Sequence, residues 1–318
     1  MHEFEIIKKY FLKLSKKSNS LNLNDDVFFD RSKNLVVSVD TYIEGIHFIN
    51  FKKPNLVIKK IIRSSLSDLI CKGVTPKYYF ISGSGNNKSF TKVNLKKISK
   101  SLKQEQKKFH ISLGGGDTVI SKKLSFTIIS LGFAKNIIYR NKAKKNDDIY
   151  VTGNLGDSHA GLKILKKKIN TSKHLSTYFE KKYYLPELYL NLSPKLFFFA
   201  NSSIDISDGL ITDLEKMINQ QNLSYVLHLD KIPISHNLKK LIYKKKLNKL
   251  NFISQGDDYQ ILFTANKSKS RIITKIAKSL GIKISKIGTI CSSSLKSQII
   301  DEKGKKIGLK IKGYFHKF

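Results

Sequence analysis

The chain has 318 residues, and its 59 lysines and arginines against 24 aspartates and glutamates give a formal net charge of +35. The length predicts two domains, and 40% hydrophobic residues are enough for a packed core, which excludes a disordered chain. The two cysteines, Cys71 and Cys291, are too few for a disulfide-stapled scaffold or a cysteine-rich zinc site. No apolar stretch reaches the roughly 20 residues of a membrane-spanning helix and no signal peptide is visible, so we expect a cytoplasmic protein without membrane contact.

The positive charge has two interpretations. A basic surface attracts the phosphates of nucleic acids, but an AT-rich coding sequence also yields a lysine-rich composition. Arginine is the residue suited to bidentate phosphate and base contacts, and the chain has only Arg31, Arg63, Arg140 and Arg271. The lysines are scattered along the chain. We therefore expect no specific nucleic-acid partner, and we keep a basic nucleic-acid-binding protein as an alternative.

Helix and strand patterns alternate in the first half of the chain. Apolar residues at helical spacing predict an amphipathic helix over residues 4–14. A β-branched strand over 35–39 ends on Asp40, and a helix that begins near Pro54 carries Asp68. A strand over 78–82 and a polar helix over 93–109 follow. The next segment leads into a glycine-rich turn at Asp117, and a strand over 124–133 closes this half.

A charged, apolar-poor segment begins at Asn141, so we place the domain boundary before it and expect domains over 1–138 and 139–318. The second half contains predicted strands over 149–151, 203–206 and 260–264. Helices are predicted over 158–168, from Leu210 onward and over 272–280, and residues 169–185 are interpreted as a loop with a helix. This alternation predicts α/β or α+β layering.

The acidic residues are few and concentrated. Eleven of the 24 lie in short segments that contain glycine, serine or threonine, mostly where a predicted strand ends. These segments contain Asp25-Asp26, Asp40 with Glu44, Asp68, Asp117, Asp157, Asp205 with Asp208, and Asp257-Asp258. Because Mg²⁺ prefers carboxylate oxygens and shares its coordination shell with substrate phosphates, converging aspartates indicate a magnesium–nucleotide site.

The chain lacks the glycine–lysine sequence of a P-loop, which disfavours a P-loop NTPase. Its acidic segments, taken in order along the chain, resemble those of the thiamine-monophosphate kinases. That family belongs to the ATP-binding superfamily of aminoimidazole ribonucleotide synthetase and selenophosphate synthetase. The resemblance covers about residues 4–315, and its most specific strings lie at 40–48 and 204–210. The matching stretches are 25–27, 38–48, 65–69, 115–118, 151–162, 204–210, 256–259 and 312–314.

The resemblance implies a two-domain fold of the aminoimidazole ribonucleotide synthetase type. Its N-terminal mixed sheet with helices would bind ATP and Mg²⁺ and join two copies into a homodimer, and its C-terminal domain would be α/β. The implied reaction is direct in-line transfer of the ATP γ-phosphate to thiamine monophosphate, which gives thiamine diphosphate.

The resemblance also implies the site residues. The metal positions map onto Asp26, Ser38, Val39, Asp40, Asp68, Asp117, Asp205 and Asp208. The ATP contacts map onto Gly116, Asp117, Arg140 and Ser207, and the substrate contacts onto His47, Asp257 and Tyr314. No direct protein catalyst is expected, because Asp40, Asp117 and Asp205 would act through Mg²⁺ and the attacking phosphate oxygen is already ionised at pH 7.

Three departures from the family pattern leave turnover and substrate affinity open. Val39 stands where the family has threonine, which removes a hydroxyl ligand. Residues 119–121 replace a segment that contains an arginine, and Asp257 replaces a glutamate. Another ATP-using member of the superfamily is the second enzymatic alternative, although selenophosphate synthetase expects an N-terminal reactive cysteine and none precedes Cys71.

Overall fold

The structure is a computed structural model and describes residues 3–15, 18–308 and 313. Five strands form a first sheet in the order β1-β2-β5-β3-β4. They are β1 (Phe28–Asp30), β2 (Leu35–Ile43), β3 (Pro76–Gly85), β4 (Ser112–Ile120) and β5 (Ser125–Phe133). The sheet is mixed, because β3 and β4 are parallel while the other neighbours are antiparallel.

The second sheet has the order β12-β11-β8-β10-β6-β9-β7 among the described residues. Its strands are β6 (Asp148–Thr152), β7 (Ala200–Asp205), β8 (Leu223–His228), β9 (Ile261–Ala265), β10 (Ile284–Ser292), β11 (Gln298–Ile300) and β12 (Lys306–Ile307). It is also mixed, since β11 runs parallel to β8 and the other pairs are antiparallel.

The described helices vary from one turn to five. They are α1 (Glu3–Ile6), α2 (Pro54–Cys71), α3 (Lys92–Phe109), α4 (Asp157–Leu165), α5 (Lys173–Tyr184), α6 (Leu210–Met217), α7 (His236–Lys245), α8 (Leu250–Ile253) and α9 (Ser270–Leu280). A π-helical turn covers Ile7–Phe11, and 3₁₀ turns cover Leu12–Ser15, Leu21–Leu23, Ser193–Phe198 and Lys267–Lys269. None of the described helices has the length and apolar character needed to cross a membrane.

Helix α2 joins the two sheets. Proline at its first turn is preorganised for a helix start, and nearly every later residue is buried. It packs on β2, β3 and β5 of the first sheet and on β7 of the second. Its Ile58, Ile61 and Ile62 belong to one hydrophobic cluster with Phe199 and Phe263 of the second half. Burial of each such side chain contributes about 1.5–3 kcal/mol, so this shared core fixes α2 between the sheets.

The mixed α/β fold confirms the predicted fold class, and most predicted elements are present within a few residues. The boundary at 138/139 falls between the two sheets, and the domain division itself stays a prediction. The predicted helix over 4–14 is wrong as a single amphipathic helix. Its first turn is α-helical, the next is π-helical, and Phe11 and Leu14 are exposed.

Two aspartates also lie elsewhere on their strands than predicted. Asp40 lies inside β2, which continues to Ile43, and Asp117 lies inside β4. The glycines before Asp117 therefore belong to a strand and not to a turn. Strand β4 lies at the edge of the sheet and pairs with β3. Glycines weaken a strand because they have no side chain to pack, and an edge strand tolerates this better than a central one.

Candidate active site

A cleft of about 590 Å³ opens where β2, α2 and β7 meet α4 and the segment that follows it. It collects most of the residues that the sequence singles out. Those that line it are Asp26, Val39, Asp40, His47, Asp68, Arg140, Asp205, Ser207, Asp208 and Asp257. Ser38 adjoins them through a hydrogen bond to Asp68. Tyr314 lies outside the described residues, while its neighbour Gly313 lies against Thr212 and Asp208.

Three carboxylates converge at the centre of the cleft. Asp26, Asp68 and Asp205 each have an oxygen within 4.8 Å of the others. They come from three separate parts of the fold: the loop before β1, the last turns of α2 and the end of β7. The packing of α2 between the two sheets therefore creates this cluster.

Hydroxyl groups form hydrogen bonds with the carboxylates of Asp40, Asp68 and Asp205. Ser67 Oγ donates to Asp205, Ser38 Oγ donates to Asp68, and Tyr42 Oη lies 2.9 Å from Asp40 Oδ2. Burial raises the pKa of Asp205 to about 7, even though the Ser67 hydrogen bond opposes the change. Burial, together with the charges of Asp40 and Asp205, raises the pKa of Asp68 well above its ordinary value. This is the state of carboxylates whose negative charge lacks a partner.

Basic side chains hold Asp26, the third carboxylate of the cluster, and the neighbouring Asp208. Asp26 forms ion pairs with Arg140 and with Lys72, whose Nζ lies 2.8 Å from Asp26 Oδ2. Asp208 pairs with Lys216. Arg140, which was predicted to contact ATP, therefore faces the cleft while bound to a predicted metal ligand.

The donor set fits Mg²⁺. None of the ion pairs within the described part of the chain includes Asp40, Asp68 or Asp205. Asp205 is buried, and Asp40 and Asp68 are half-buried. All three offer hard oxygen ligands in a site where burial disfavours their negative charge, and a divalent oxygen-seeking cation relieves this cost.

The loop that carries Asp257 lies against Ser207. A Cβ on Gly256 would lie 1.7 Å from the Ser207 carbonyl oxygen, so only glycine allows this approach. The Asp257 N–H donates to the same oxygen at 2.9 Å. Asp257 Oδ1 then accepts from Lys60 Nζ at 2.7 Å and from Tyr259 Oη at 3.2 Å. One carboxylate oxygen is thus fixed from behind, while Oδ2 accepts no hydrogen bond from the described part of the protein.

His47 lies on the same side of the cleft. Its Nδ1 accepts the Ile43 backbone N–H at 3.0 Å, and its ring packs edge-on against Tyr42 at 5.9 Å between centroids. Because Nδ1 is an acceptor, the proton of the neutral ring is assigned to Nε2. His47 can therefore offer an N–H donor.

Gly116 and Asp117 do not join the cleft within one chain. Asp117 on β4 is aligned with Ser82 on β3, which is aligned with Thr127 on β5 and then with Thr41 on β2. The Asp117 side chain therefore lies on the same face of the sheet as Thr41, and Asp40 lies on the other face. Three strand spacings separate Asp117 from Thr41, which corresponds to about 14 Å. Both predicted ATP contacts on β4 are exposed.

Sequence reasoning missed three lysines, Lys60, Lys72 and Lys216, that bind carboxylates of the site. Lys60, Ser64 and Ser67 follow one another at spacings of four and three along α2, and this polar stripe is the signal that marks Lys60. Nothing in the sequence distinguishes Lys72 from the many other lysines.

Comparisons with known proteins identify the family of the chain. Residues 24–134 match the family model "AIR synthase related protein, N-terminal domain". The thiamine-monophosphate kinase of Buchnera aphidicola subsp. Acyrthosiphon pisum is 36% identical over 99% of this chain and 98% of its own length. That of Nitrosopumilus maritimus is 31% identical over 99% and 98%. The solved structure of AaThiL complexed with AMPPCP and TMP has the same fold, with a TM-score of 0.85, 24% identity, and coverage of 99% of this chain and 97% of that one.

Proposed function

Because the chain belongs to the thiamine-monophosphate kinase family, we propose that it transfers the γ-phosphate of ATP to thiamine monophosphate in the cleft around Asp68 and Asp205. The observation that carries the proposal is the convergence of Asp26, Asp68 and Asp205 within 4.8 Å. Phosphoryl transfer needs positioning and charge neutralisation more than covalent chemistry, and such a cluster supports both.

Asp26, Asp68 and Asp205 would hold Mg²⁺, with Asp40 and Ser38 beside them and Asp208 at the edge. Mg²⁺, when bound, neutralises phosphate charge and orients the two reacting phosphates. Val39 lines the cleft but offers no side-chain ligand, because the valine side chain carries no oxygen, nitrogen or sulfur.

No residue of the cleft is needed to remove a proton from the nucleophile. The attacking oxygen belongs to the phosphate of thiamine monophosphate, which is ionised at neutral pH. Arg140 lines the cleft and binds Asp26, so its guanidinium is available to the ATP phosphates once Asp26 turns to the metal. Ser207 lies beside it as the second predicted ATP contact.

His47 and Asp257 would orient the thiamine part of the substrate. His47 presents its Nε2–H as a donor, and Asp257 presents Oδ2 as an acceptor. Lys60 neutralises Asp257, so this carboxylate is suited to an uncharged donor such as the pyrimidine amino group. The shorter side chain of Asp257, compared with the family glutamate, is held in place by its loop and by Lys60.

A homodimer joined through the first sheet would bring Asp117 and Gly116 to a nucleotide. The face that carries Asp117 also exposes Val39, Tyr78, Val119 and Phe133, which are 40–61% exposed. Exposed apolar residues on one face of a sheet suit a second copy of the same surface. Since Asp117 is about 14 Å from Thr41 of its own chain, we expect it to act in the cleft of the partner.

Subunit mixing tests this arrangement. Chains with Asp117→Asn and chains with Asp68→Asn should each be inactive, but unfolding and refolding them together should restore about a quarter of wild-type activity, because half of the dimers are mixed and each has one intact site. No recovery in mixed dimers would contradict action of Asp117 across the interface.

We also propose a cytoplasmic location. Cys71 and Cys291 are both free thiols, which fits a reducing compartment.

The reaction itself is tested by incubating the purified chain with thiamine monophosphate, ATP and Mg²⁺ and separating the thiamine esters. Thiamine diphosphate should form, and Asp68→Asn should abolish its formation while circular dichroism stays unchanged. Full activity of Asp68→Asn would refute the role of the cluster. A gel shift with duplex DNA at near-physiological salt, without any thiamine diphosphate formation, would favour the nucleic-acid alternative.

A further inference from the structure

Lys72 is a fully buried lysine beside the acidic cluster. Its side chain is 0% exposed, and it follows directly after the last residue of α2. Its Nζ lies 2.7 Å from Asp25 Oδ1, 2.8 Å from Asp26 Oδ2 and 2.8 Å from the Ser203 carbonyl oxygen. An ammonium group has three N–H donors, so these three oxygens match its full capacity.

The carboxylates of Asp25 and Asp26 compensate the charge of this buried ammonium group. Three oxygens at 2.7–2.8 Å, two of them from carboxylates, surround it as ligands surround a bound monovalent ion.

Lys72 and Arg140 approach Asp26 differently. Arg140 lines the cleft, whereas Lys72 does not. Arg140 can therefore leave Asp26 when a ligand enters, while Lys72 has no route to solvent. Arg140 donates to both oxygens of Asp26, from Nη2 to Oδ1 and from Nε to Oδ2 at 3.2 Å, and Lys72 also binds Oδ2. Departure of Arg140 would therefore release Oδ1 to a metal, while Oδ2 stays bound to Lys72.

We propose that Lys72 is a built-in cation of the metal centre, which positions the Asp25–Asp26 pair and takes the place of one divalent ion. The inference rests on the proposed function, since it assigns Asp26 to the metal centre. It predicts that the cluster binds fewer divalent ions, or binds them more weakly, than its carboxylates alone would allow. It also makes Lys72 a positioning residue, because it touches neither reacting phosphate.

The test is binding of Mn²⁺ to the purified chain without nucleotide, measured by electron paramagnetic resonance of the free ion. Wild type is compared with Lys72→Met, Lys72→Arg and Lys249→Met. The last variant is a matched control, because Lys249 binds the carbonyl oxygens of Leu229 and Ile232 and forms no ion pair with a carboxylate of the described residues. Lys72→Met should bind one more Mn²⁺ per chain or bind Mn²⁺ at least about 10-fold more tightly, which is roughly 1.4 kcal/mol. Lys72→Arg and Lys249→Met should bind like wild type.

Removal of Lys72 leaves two carboxylates without their buried partner, so Lys72→Met will be less stable without metal. Bound Mg²⁺ should offset this loss, so the midpoint of thermal unfolding of Lys72→Met should rise with Mg²⁺ concentration far more steeply than that of wild type. Unchanged Mn²⁺ stoichiometry and affinity in Lys72→Met would overturn the proposal, and so would a Lys72→Met chain that stays unfolded at saturating Mg²⁺. Wild type that binds no Mn²⁺ and makes no thiamine diphosphate would instead refute the proposed function.

Discussion

Replacement of Asp205 by asparagine should stabilise the metal-free protein while it removes activity. Asp205 is buried, and its pKa lies at about 7 against 3.8 for an ordinary aspartate. A tenfold change in proton affinity corresponds to 1.36 kcal/mol, so ionised Asp205 costs the metal-free fold about 4 kcal/mol above pH 7. Asparagine keeps the shape and can accept the Ser67 hydrogen bond, but carries no charge.

The pH dependence follows from the raised pKa. Wild type keeps Asp205 protonated and stable at pH 4, and it loses this contribution as the pH rises through about 7. Urea unfolding in EDTA should therefore show Asp205→Asn more stable than wild type by up to about 4 kcal/mol at pH 8, with the difference vanishing toward pH 4. Saturating Mg²⁺ should stabilise wild type by about 2–3 kcal/mol and the variant far less. An Asp205→Asn chain that is less stable than wild type at pH 8 in EDTA would refute the reasoning.

Three further perturbations are expected to act separately from the metal. Burial lowers the pKa of His159 to about 4, so the free energy of unfolding should fall as the pH drops from 6.5 toward 4. In urea unfolding, His159→Gln should remove about 3 kcal/mol of this fall. Asp257→Asn should weaken use of thiamine monophosphate about 10-fold with the KM for ATP unchanged, because the carboxylate acceptor is lost; a change in the ATP KM alone would assign the residue to the nucleotide. Glu105→Gln breaks a buried pair with Arg63 at 2.8 Å and should cost about 3–5 kcal/mol of stability, with kcat of the folded fraction preserved.

Much of the fold could be predicted from local patterns. Proline at the start and apolar residues at helical spacing indicated α2, and the β-branched run from Leu35 indicated β2. Aspartates at strand ends indicated that Asp205 and Asp208 belong to a site. These patterns work because each reflects a constraint within a few residues, and the structure brings those residues to one cleft.

The errors occur where distant packing decides. The glycines before Asp117 are typical of a turn, but pairing with β3 draws them into an edge strand. The apolar residues of 4–14 indicate a helix with a buried face, although Phe11 and Leu14 remain exposed. Lys72 was not predicted at all, because its role depends on oxygens of Asp25, Asp26 and Ser203, which only the tertiary fold brings together.

The central claim is direct transfer of the ATP γ-phosphate to thiamine monophosphate in the aspartate cleft. Phosphorus NMR of the purified chain with both substrates and Mg²⁺ tests it most directly, because every phosphorus atom is followed at once. The account predicts loss of the thiamine monophosphate signal and equal growth of thiamine diphosphate and ADP, with little inorganic phosphate and no reaction in EDTA. Formation of AMP, release of inorganic phosphate in place of thiamine diphosphate, or full turnover in EDTA would contradict it.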